Sequence, residues 1–203
     1  MYKFVCILNS GEPMLNIDNV ISAIRTLNDY YSNAELLLST MGIKDKDAFE
    51  KIIKISQFID KVGLQFSVHE AFDDKRDILI PFKNKLNIRE IRDFGIEWNK
   101  VTNRPVYVNY CISESNQSEE EMNRLKDLFS PVVFNFTFSV ICSSDENMKE
   151  KGYREFEKIN DITSSFVDCG YNVRVFDPAG QDDIGGGCGQ LWYVQHWMRE
   201  HKK

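Results

Sequence analysis

Apolar residues recur along the chain in two alternating patterns: short β-branched runs and longer stretches with helical spacing. The short runs predict six strands, at Tyr2–Leu8, Leu36–Leu38, Leu64–Val68, Val106–Ile112, Val132–Val140 and Asn172–Phe176. The stretches between them predict amphipathic helices that begin near Asn16 or Asp18, near Phe49, at Ile88, after Ser118 and near Phe156, with a closing helix over Leu191–His201. This alternation predicts an α/β fold, a partial and open (β/α) barrel of mainly parallel strands.

Two details refine this picture. Ser118 followed by Glu121 predicts a capping box at the start of one helix. The four charged residues Asp73–Arg76 are interpreted as a solvated surface. In a parallel sheet, ligands bind beyond the carboxyl ends of the strands, so the segments that follow each strand are the first places to look for chemistry.

Composition and charge narrow the functional classes. The 203 residues suit one domain, 1–203, in which 177–203 forms a Gly-rich arm and a C-terminal helix. The net charge of −6 argues against long-range attraction to nucleic acid. No apolar run approaches the roughly 18 residues that span a membrane. The segment after Met1 does not read as a signal peptide, so we expect a cytoplasmic protein without a membrane partner.

The five cysteines are widely separated, at Cys6, Cys111, Cys142, Cys169 and Cys188. Neighbouring members of this set lie at least 19 positions apart, so the chain contains no CxxC pair and no clustered iron–sulfur motif. We therefore predict no metal site and no bound cluster in the isolated chain. An odd number of cysteines also indicates free thiols in a reducing compartment.

Two strand ends carry candidate binding residues. After the first strand, Gly11 lets a ligand approach the backbone and Glu12 can accept hydrogen bonds from an ammonium group, although Gly-Glu-Pro is also common in ordinary turns. At the end of the third strand, alternation places Ser67 and His69 on one side of the sheet and Val68 on the other. A single histidine is more often structural than functional.

The most unusual stretch is Asp182–Leu191, in which Gly185, Gly186 and Gly187 precede Cys188. Its glycines predict a mobile arm that carries a poorly shielded thiol. We expect Cys188 to react faster with a small alkylating agent than Cys6 and Cys111, which should be buried within strands. The basic, aromatic C-terminal tail suits either base stacking or a helix docked on the core.

Four segments in register resemble the radical S-adenosylmethionine (SAM) adenine methyltransferases that act on 23S ribosomal RNA and transfer RNA. They are Gly11–Asn16, similar to Gly-Glu-Pro-Leu-Leu-Asn; Leu38–Gly42, similar to Leu-Ser-Thr-Ser-Gly; Ser67–His69 with Arg76 and Ile80-Pro81, similar to Ser-Leu-His, Arg and Val-Pro; and Asp182–Leu191, which matches Asp-Asp-Ile-x-x-x-Cys-Gly-Gln-Leu. The resemblance covers the later part of the family. The upstream Cys-x3-Cys-x2-Cys segment that holds a [4Fe–4S] cluster, its first βα unit and a second catalytic cysteine have no counterpart here.

Two smaller departures concern the SAM site. Leu8-Asn9-Ser10 stands where the family has Met-Gly-Met, and its Pro-x-Asn-Pro after strand five is replaced by the region of Phe138–Ile141. The resemblance implies a SAM pocket in which Gly11 and Glu12 meet the amino group and Ser39, Ser67, Val68 and His69 meet other polar parts. It also implies that Cys188 carries the methyl group that a SAM-derived radical activates for addition to adenine.

Two functional hypotheses follow from this resemblance. The chain is either a truncated or split RNA methyltransferase, whose cluster segment a partner chain supplies, or a non-catalytic module that binds SAM, RNA or protein. The missing cysteine triad favours the second hypothesis, and the retained Cys188 arm favours the first. The first strand should lie at an unpaired sheet edge, which predicts association with a copy or a partner along Tyr2–Leu8.

Overall fold

The computed structural model describes residues 4–7, 11–140 and 159–176. Within these ranges six strands form one sheet in the order β1-β2-β3-β4-β5-β6, and every neighbouring pair is parallel. The strands are β1 (Phe4–Ile7), β2 (Glu35–Thr40), β3 (Val62–Ser67), β4 (Val106–Ile112), β5 (Phe134–Val140) and β6 (Val173–Phe176). The predicted parallel, open (β/α) architecture is confirmed, and β1 lies at one edge of the described sheet.

The described helices are α1 (Ile17–Tyr30), α2 (Lys46–Phe58), α3 (Asp73–Leu79), α4 (Ile88–Thr102), α5 (Glu119–Leu128) and α6 (Ile159–Asp168), with short 3-10 turns at Pro13–Asn16 and Glu114–Asn116. The predicted capping box at Ser118 and Glu121 is present. Asn16 occupies the N-cap of α1, but its side chain makes no capping bond to the backbone. The predicted helix over Leu191–His201 lies outside the described residues.

The helices cover one face of the sheet, where the core lies. Along β4, Val106, Val108 and Tyr110 are buried, while the alternate residues are half-buried. In β5, the residues Phe134 and Phe136 pack against rings from the helical layer. The opposite face, here called the inner face, therefore carries the alternate residues of each strand.

Glycine permits a close helix–sheet contact at one point of this core. A Cβ atom at Gly95 of α4 would lie 2.5 Å from a ring carbon of Phe134. This distance is far below van der Waals contact, so only glycine fits the present spacing between α4 and β5. No helix of the described chain is both long and apolar enough to cross a membrane.

Candidate functional site

A cleft of about 360 Å³ lies where the loops after β1, β2 and β3 meet. Its walls are formed by Gly11, Glu12, Pro13, Ser39, Thr40, Met41, Ser67, His69 and Ile80. Five of the six predicted SAM contacts therefore line one cavity, although they come from three segments well separated in sequence. The carboxyl ends of neighbouring parallel strands meet at one edge of a sheet, which explains the convergence.

The Glu12 carboxylate ties the first loop to the end of β2. It accepts hydrogen bonds from the Met14 amide (3.0 Å), the Thr40 hydroxyl (2.5 Å) and the Met41 amide (2.9 Å). These three bonds place the side chain in a structural role in addition to the predicted ligand contact. Gly11 precedes it with φ of 152°, and a Cβ atom there would meet nothing within 4 Å, so the Gly11 backbone is open to an approaching group.

The ends of β2 and β3 contribute hydroxyl groups. Gln65 Nε2 donates to Ser39 Oγ at 3.0 Å, and the Ser39 and Ser67 hydroxyl oxygens lie 3.4 Å apart. Ser39 is buried, whereas Ser67 is half-buried beside the cavity. Because the Gln65 amide already donates to the Ser39 hydroxyl, the Ser67 hydroxyl is the more available of the two for a ligand.

His69 is fixed by its own backbone and by β4. Its φ is 62°, its carbonyl accepts from Asn116 Nδ2 at 2.9 Å, and its Nδ1 accepts from the Cys111 amide at 3.1 Å. Burial and, secondarily, the charge of Arg76 lower the pKa of His69 to about 4. The ring is therefore neutral at pH 7, and because Nδ1 accepts a hydrogen bond, its proton resides on Nε2. His69 can offer this N–H to a ligand.

The interpretation of Arg76 as part of a solvated surface is wrong. Its side chain is fully buried in α3, a helix that the hydrophobic pattern did not predict. The guanidinium donates to the carbonyls of Val68 (3.1 Å), Leu86 (2.7 Å), Met41 (2.6 Å) and Ser67 (3.3 Å). Burial lowers its pKa, but four backbone acceptors satisfy its donors and clamp the ends of β2 and β3 together.

Val68, the sixth predicted contact, is buried on the helix-covered side of the strand end. Its amide donates to the Asn109 carbonyl at 3.0 Å, and its carbonyl accepts from Arg76. The alternation predicted for Ser67, Val68 and His69 is therefore confirmed, and Val68 is not among the residues that line the cleft. Sequence reasoning missed Thr40, whose hydroxyl donates to Glu12 and accepts from the Gly42 amide at 2.9 Å.

The prediction that Cys111 is buried within β4 is wrong. Its side chain is half-buried on the inner face, and that of Cys169 is exposed. Cys188 and the glycine arm lie outside the described residues, so their position relative to the cleft stays a prediction. Within the described ranges, no three His, Cys, Asp or Glu side chains are grouped so as to hold a metal ion. Those ranges therefore offer no ligand set that fits a [4Fe–4S] cluster.

Sequence comparison finds relatives over most of the chain. A probable dual-specificity RNA methyltransferase RlmN of Thermosipho melanesiensis is 33% identical over 192 residues, which cover 92% of this chain and 54% of that protein. The protein of the same description from Pseudothermotoga lettingae is 29% identical over 189 residues, which cover 91% and 52%. No protein-family model matches the chain. The chain spans about half the length of these curated relatives.

Solved structures show the same fold. A radical SAM methyltransferase from Sphaerobacter thermophilus superimposes with a TM-score of 0.74 at 21% identity, covering 93% of this chain and 54% of that chain. Streptococcus suis SuiB gives a TM-score of 0.59 at 16% identity over 91% of this chain and 45% of its own. The sequence relatives confirm the resemblance predicted from the four motifs, and the solved structures confirm the predicted fold.

Proposed function

We propose, from this relationship to the radical SAM RNA methyltransferases, that the chain binds SAM in the cleft at the ends of β1, β2 and β3 and forms part of an RNA-methylating enzyme. One observation carries the proposal: Gly11, Glu12, Ser39, Ser67 and His69, predicted as cofactor contacts from separate motifs, line a single cavity. Sites of small ligands are typically concave and have a few convergent polar groups.

The chemistry of the cleft suits a zwitterionic nucleoside cofactor. The open Gly11 backbone and the Glu12 carboxylate would hold the amino-acid end, which carries both charges. Ser67 and the neutral His69 ring would hold uncharged polar groups. The volume of about 360 Å³ lies within the roughly 300–1,000 Å³ typical of small-molecule pockets. When bound, SAM supplies a methyl group, and we assign its carriage to Cys188.

The substrate and partner are part of the same proposal. The RlmN relatives are described as RNA methyltransferases, so RNA is the proposed substrate, with adenine as the acceptor. The cysteines of this chain do not form a cluster motif, and a partner chain that carries Cys-x3-Cys-x2-Cys is proposed to supply that function. Cytoplasmic localisation stays a prediction.

Calorimetric titration of the full chain with SAM tests the binding step. Ser67→Ala removes one hydroxyl from the cavity wall, and we expect it to weaken SAM binding about three- to ten-fold, the effect of one lost hydrogen bond. Ser22→Ala, on the exposed surface of α1, is the matched control and should bind as the wild type does. An unmodified chain that binds neither SAM nor S-adenosylhomocysteine would refute the proposal.

A second candidate is a binding module without methyl transfer, which the absence of a metal-ligand group from the described residues favours. Adding a cluster-bearing segment from an RlmN relative and measuring methylation of RNA distinguishes the enzyme from the binding module. Transfer that Cys188→Ala abolishes would support the enzyme. SAM binding with no transfer in the reconstituted mixture would leave the binding module.

A further inference from the structure

Asn116 joins the ends of β3 and β4 beside the cleft. It closes the 3-10 turn that follows β4, and the residue is buried. Its Nδ2 donates to the His69 carbonyl at 2.9 Å and to the Cys111 carbonyl at 2.8 Å, while its Oδ1 accepts from the Ser113 amide at 2.8 Å. Both N–H groups of the side-chain amide are thus engaged by protein carbonyls, so Asn116 has no donor left for a ligand.

Tyr110 fixes the backbone of the same turn. This tyrosine is fully buried in β4, and its hydroxyl donates to the Asn116 carbonyl at 2.8 Å. The Asn116 side chain therefore has a defined place relative to β4. Its bond to the His69 carbonyl extends that anchoring to the wall of the cleft, which His69 lines.

His69 is a residue of the cleft wall that needs such support. Its φ of 62° lies in the left-handed region, which is costly for a residue with a side chain, and the bond from Asn116 holds the carbonyl of that residue. The same amide holds the Cys111 carbonyl, and the Cys111 amide donates to His69 Nδ1 at 3.1 Å. Asn116 therefore braces both partners of the hydrogen bond that sets the imidazole tautomer.

We infer that Asn116 is a positioning residue for SAM, which orients the His69 ring so that Nδ1 stays an acceptor and the Nε2–H is presented to the cofactor. This inference rests on the proposed function. Without the Asn116 amide, the His69 peptide is released to leave the left-handed region, and the ring is released to turn away from the Cys111 amide. A released ring carries its proton on either nitrogen, so part of the population loses the donor toward the cleft.

Calorimetric titration with SAM in a double-mutant cycle tests this role. Asn116→Ala removes both donors and should weaken SAM binding about three- to ten-fold. Asn116→Asp keeps the shape and the acceptor for the Ser113 amide, and should weaken binding at least as much because its carboxylate faces two carbonyl oxygens.

His69→Asn completes the cycle. Asparagine tolerates a positive φ and keeps an acceptor near the place of Nδ1, but it has no counterpart of the Nε2–H, so SAM binding should weaken by a similar factor. If Asn116 acts only through His69, the variant that combines Asn116→Ala with His69→Asn should bind no more weakly than His69→Asn alone.

Nuclear magnetic resonance of the ¹⁵N-labelled chain at pH 7 measures the tautomer directly. In the wild type the proton of the His69 ring should reside on Nε2, and Asn116→Ala should shift the ring toward a mixture of the two tautomers. The chain has three histidines, and the signals that His69→Asn removes identify His69. A purely structural role of Asn116 would lower stability without moving these signals.

The control is Asn123→Ala, which makes the same change on the exposed surface of α5 and should leave the SAM affinity and the His69 signals unchanged. Circular dichroism shows which variants retain the fold, and the wild-type tautomer tests the inference even if neither Asn116 variant folds. A wild-type Nδ1–H tautomer, unchanged affinity in both Asn116 variants, or further loss in the double variant would each overturn this inference alone. A wild-type chain that binds no SAM would refute the proposed function and this inference with it.

Discussion

Removal of the buried guanidinium of Arg76 should cost more stability than any surface change in the chain. Arg76→Met retains much of the volume and all of the apolar stem but removes every donor. The change leaves the carbonyls of Met41, Ser67, Val68 and Leu86 without the donors of a side chain that is fully buried. These carbonyls belong to the ends of β2 and β3 and to the segment before α4.

The magnitude follows from the number and type of bonds. Hydrogen bonds from a charged donor each contribute roughly 1.5–3 kcal/mol, and relaxation of the loops recovers part of four such losses. Arg76→Met leaves neutral carbonyls and no unpaired charge, and we expect the loss to correspond to about two of the four bonds, roughly 3–5 kcal/mol. A domain of ordinary stability has about 5–15 kcal/mol in total, so the variant should remain folded but marginal. Arg76→Lys keeps the charge but has fewer donors, so its free energy of unfolding should lie between those of Arg76→Met and the wild type.

Urea unfolding followed by far-ultraviolet circular dichroism measures the effect, since the free energy of unfolding falls linearly with denaturant. Arg25→Met, on the exposed surface of α1, removes the same group without buried partners and should change stability by no more than about 0.5 kcal/mol. A loss below about 1 kcal/mol for Arg76→Met would show that the four bonds do not hold the strand ends, and the reasoning would be wrong.

Two further predictions concern the core and the cleft. Gly95→Ala places a methyl group against the buried Phe134 ring. It should destabilise the chain by about 1–2 kcal/mol in the same urea assay, although alanine has the better helix propensity. Unchanged stability would contradict the close packing. His69, with its pKa lowered to about 4, resists protonation in the folded state, so stability should fall as pH drops from about 6.5 to 4. His69→Gln should reduce that fall, and equal pH profiles for the two proteins would refute the assignment.

The hydrophobic pattern predicts most of the sheet because strand and helix differ in period. It underestimates β2, since Ser39 and Thr40 extend that strand beyond its apolar run through pairing with β3. It misses α3 for a different reason. The only residue of that helix that is buried is Arg76, so no apolar stripe marks the element. Its burial depends on carbonyl groups from other segments, which polarity along the chain does not reveal.

The candidate site, like the fold, is predictable from the sequence only in part. Strand ends and motifs predict that Gly11, Ser39, Ser67 and His69 converge, because parallel strands end at one edge. Neither the pattern nor the resemblance points to Gln65, which lies within β3 and donates to the Ser39 hydroxyl at 3.0 Å. Its role depends on register, because the pairing of β2 with β3 places it beside Ser39.

Polar residues around the cleft fall into two groups according to whether protein atoms already use their bonding capacity. Arg76 uses its donors on backbone carbonyls of neighbouring segments, so its substitution should act mainly on stability. Glu12 accepts three bonds from neighbouring loops and also lines the cleft, so its substitution should lower both stability and SAM affinity. Ser67 retains hydrogen-bonding capacity at the wall of the cavity, so its substitution should act mainly on SAM affinity. His69 belongs to both groups, because one ring nitrogen accepts from β4 and the other carries a proton. If this division holds, substitution of Arg76 will lower mainly the free energy of unfolding, and substitution of Ser67 will lower mainly the affinity for SAM.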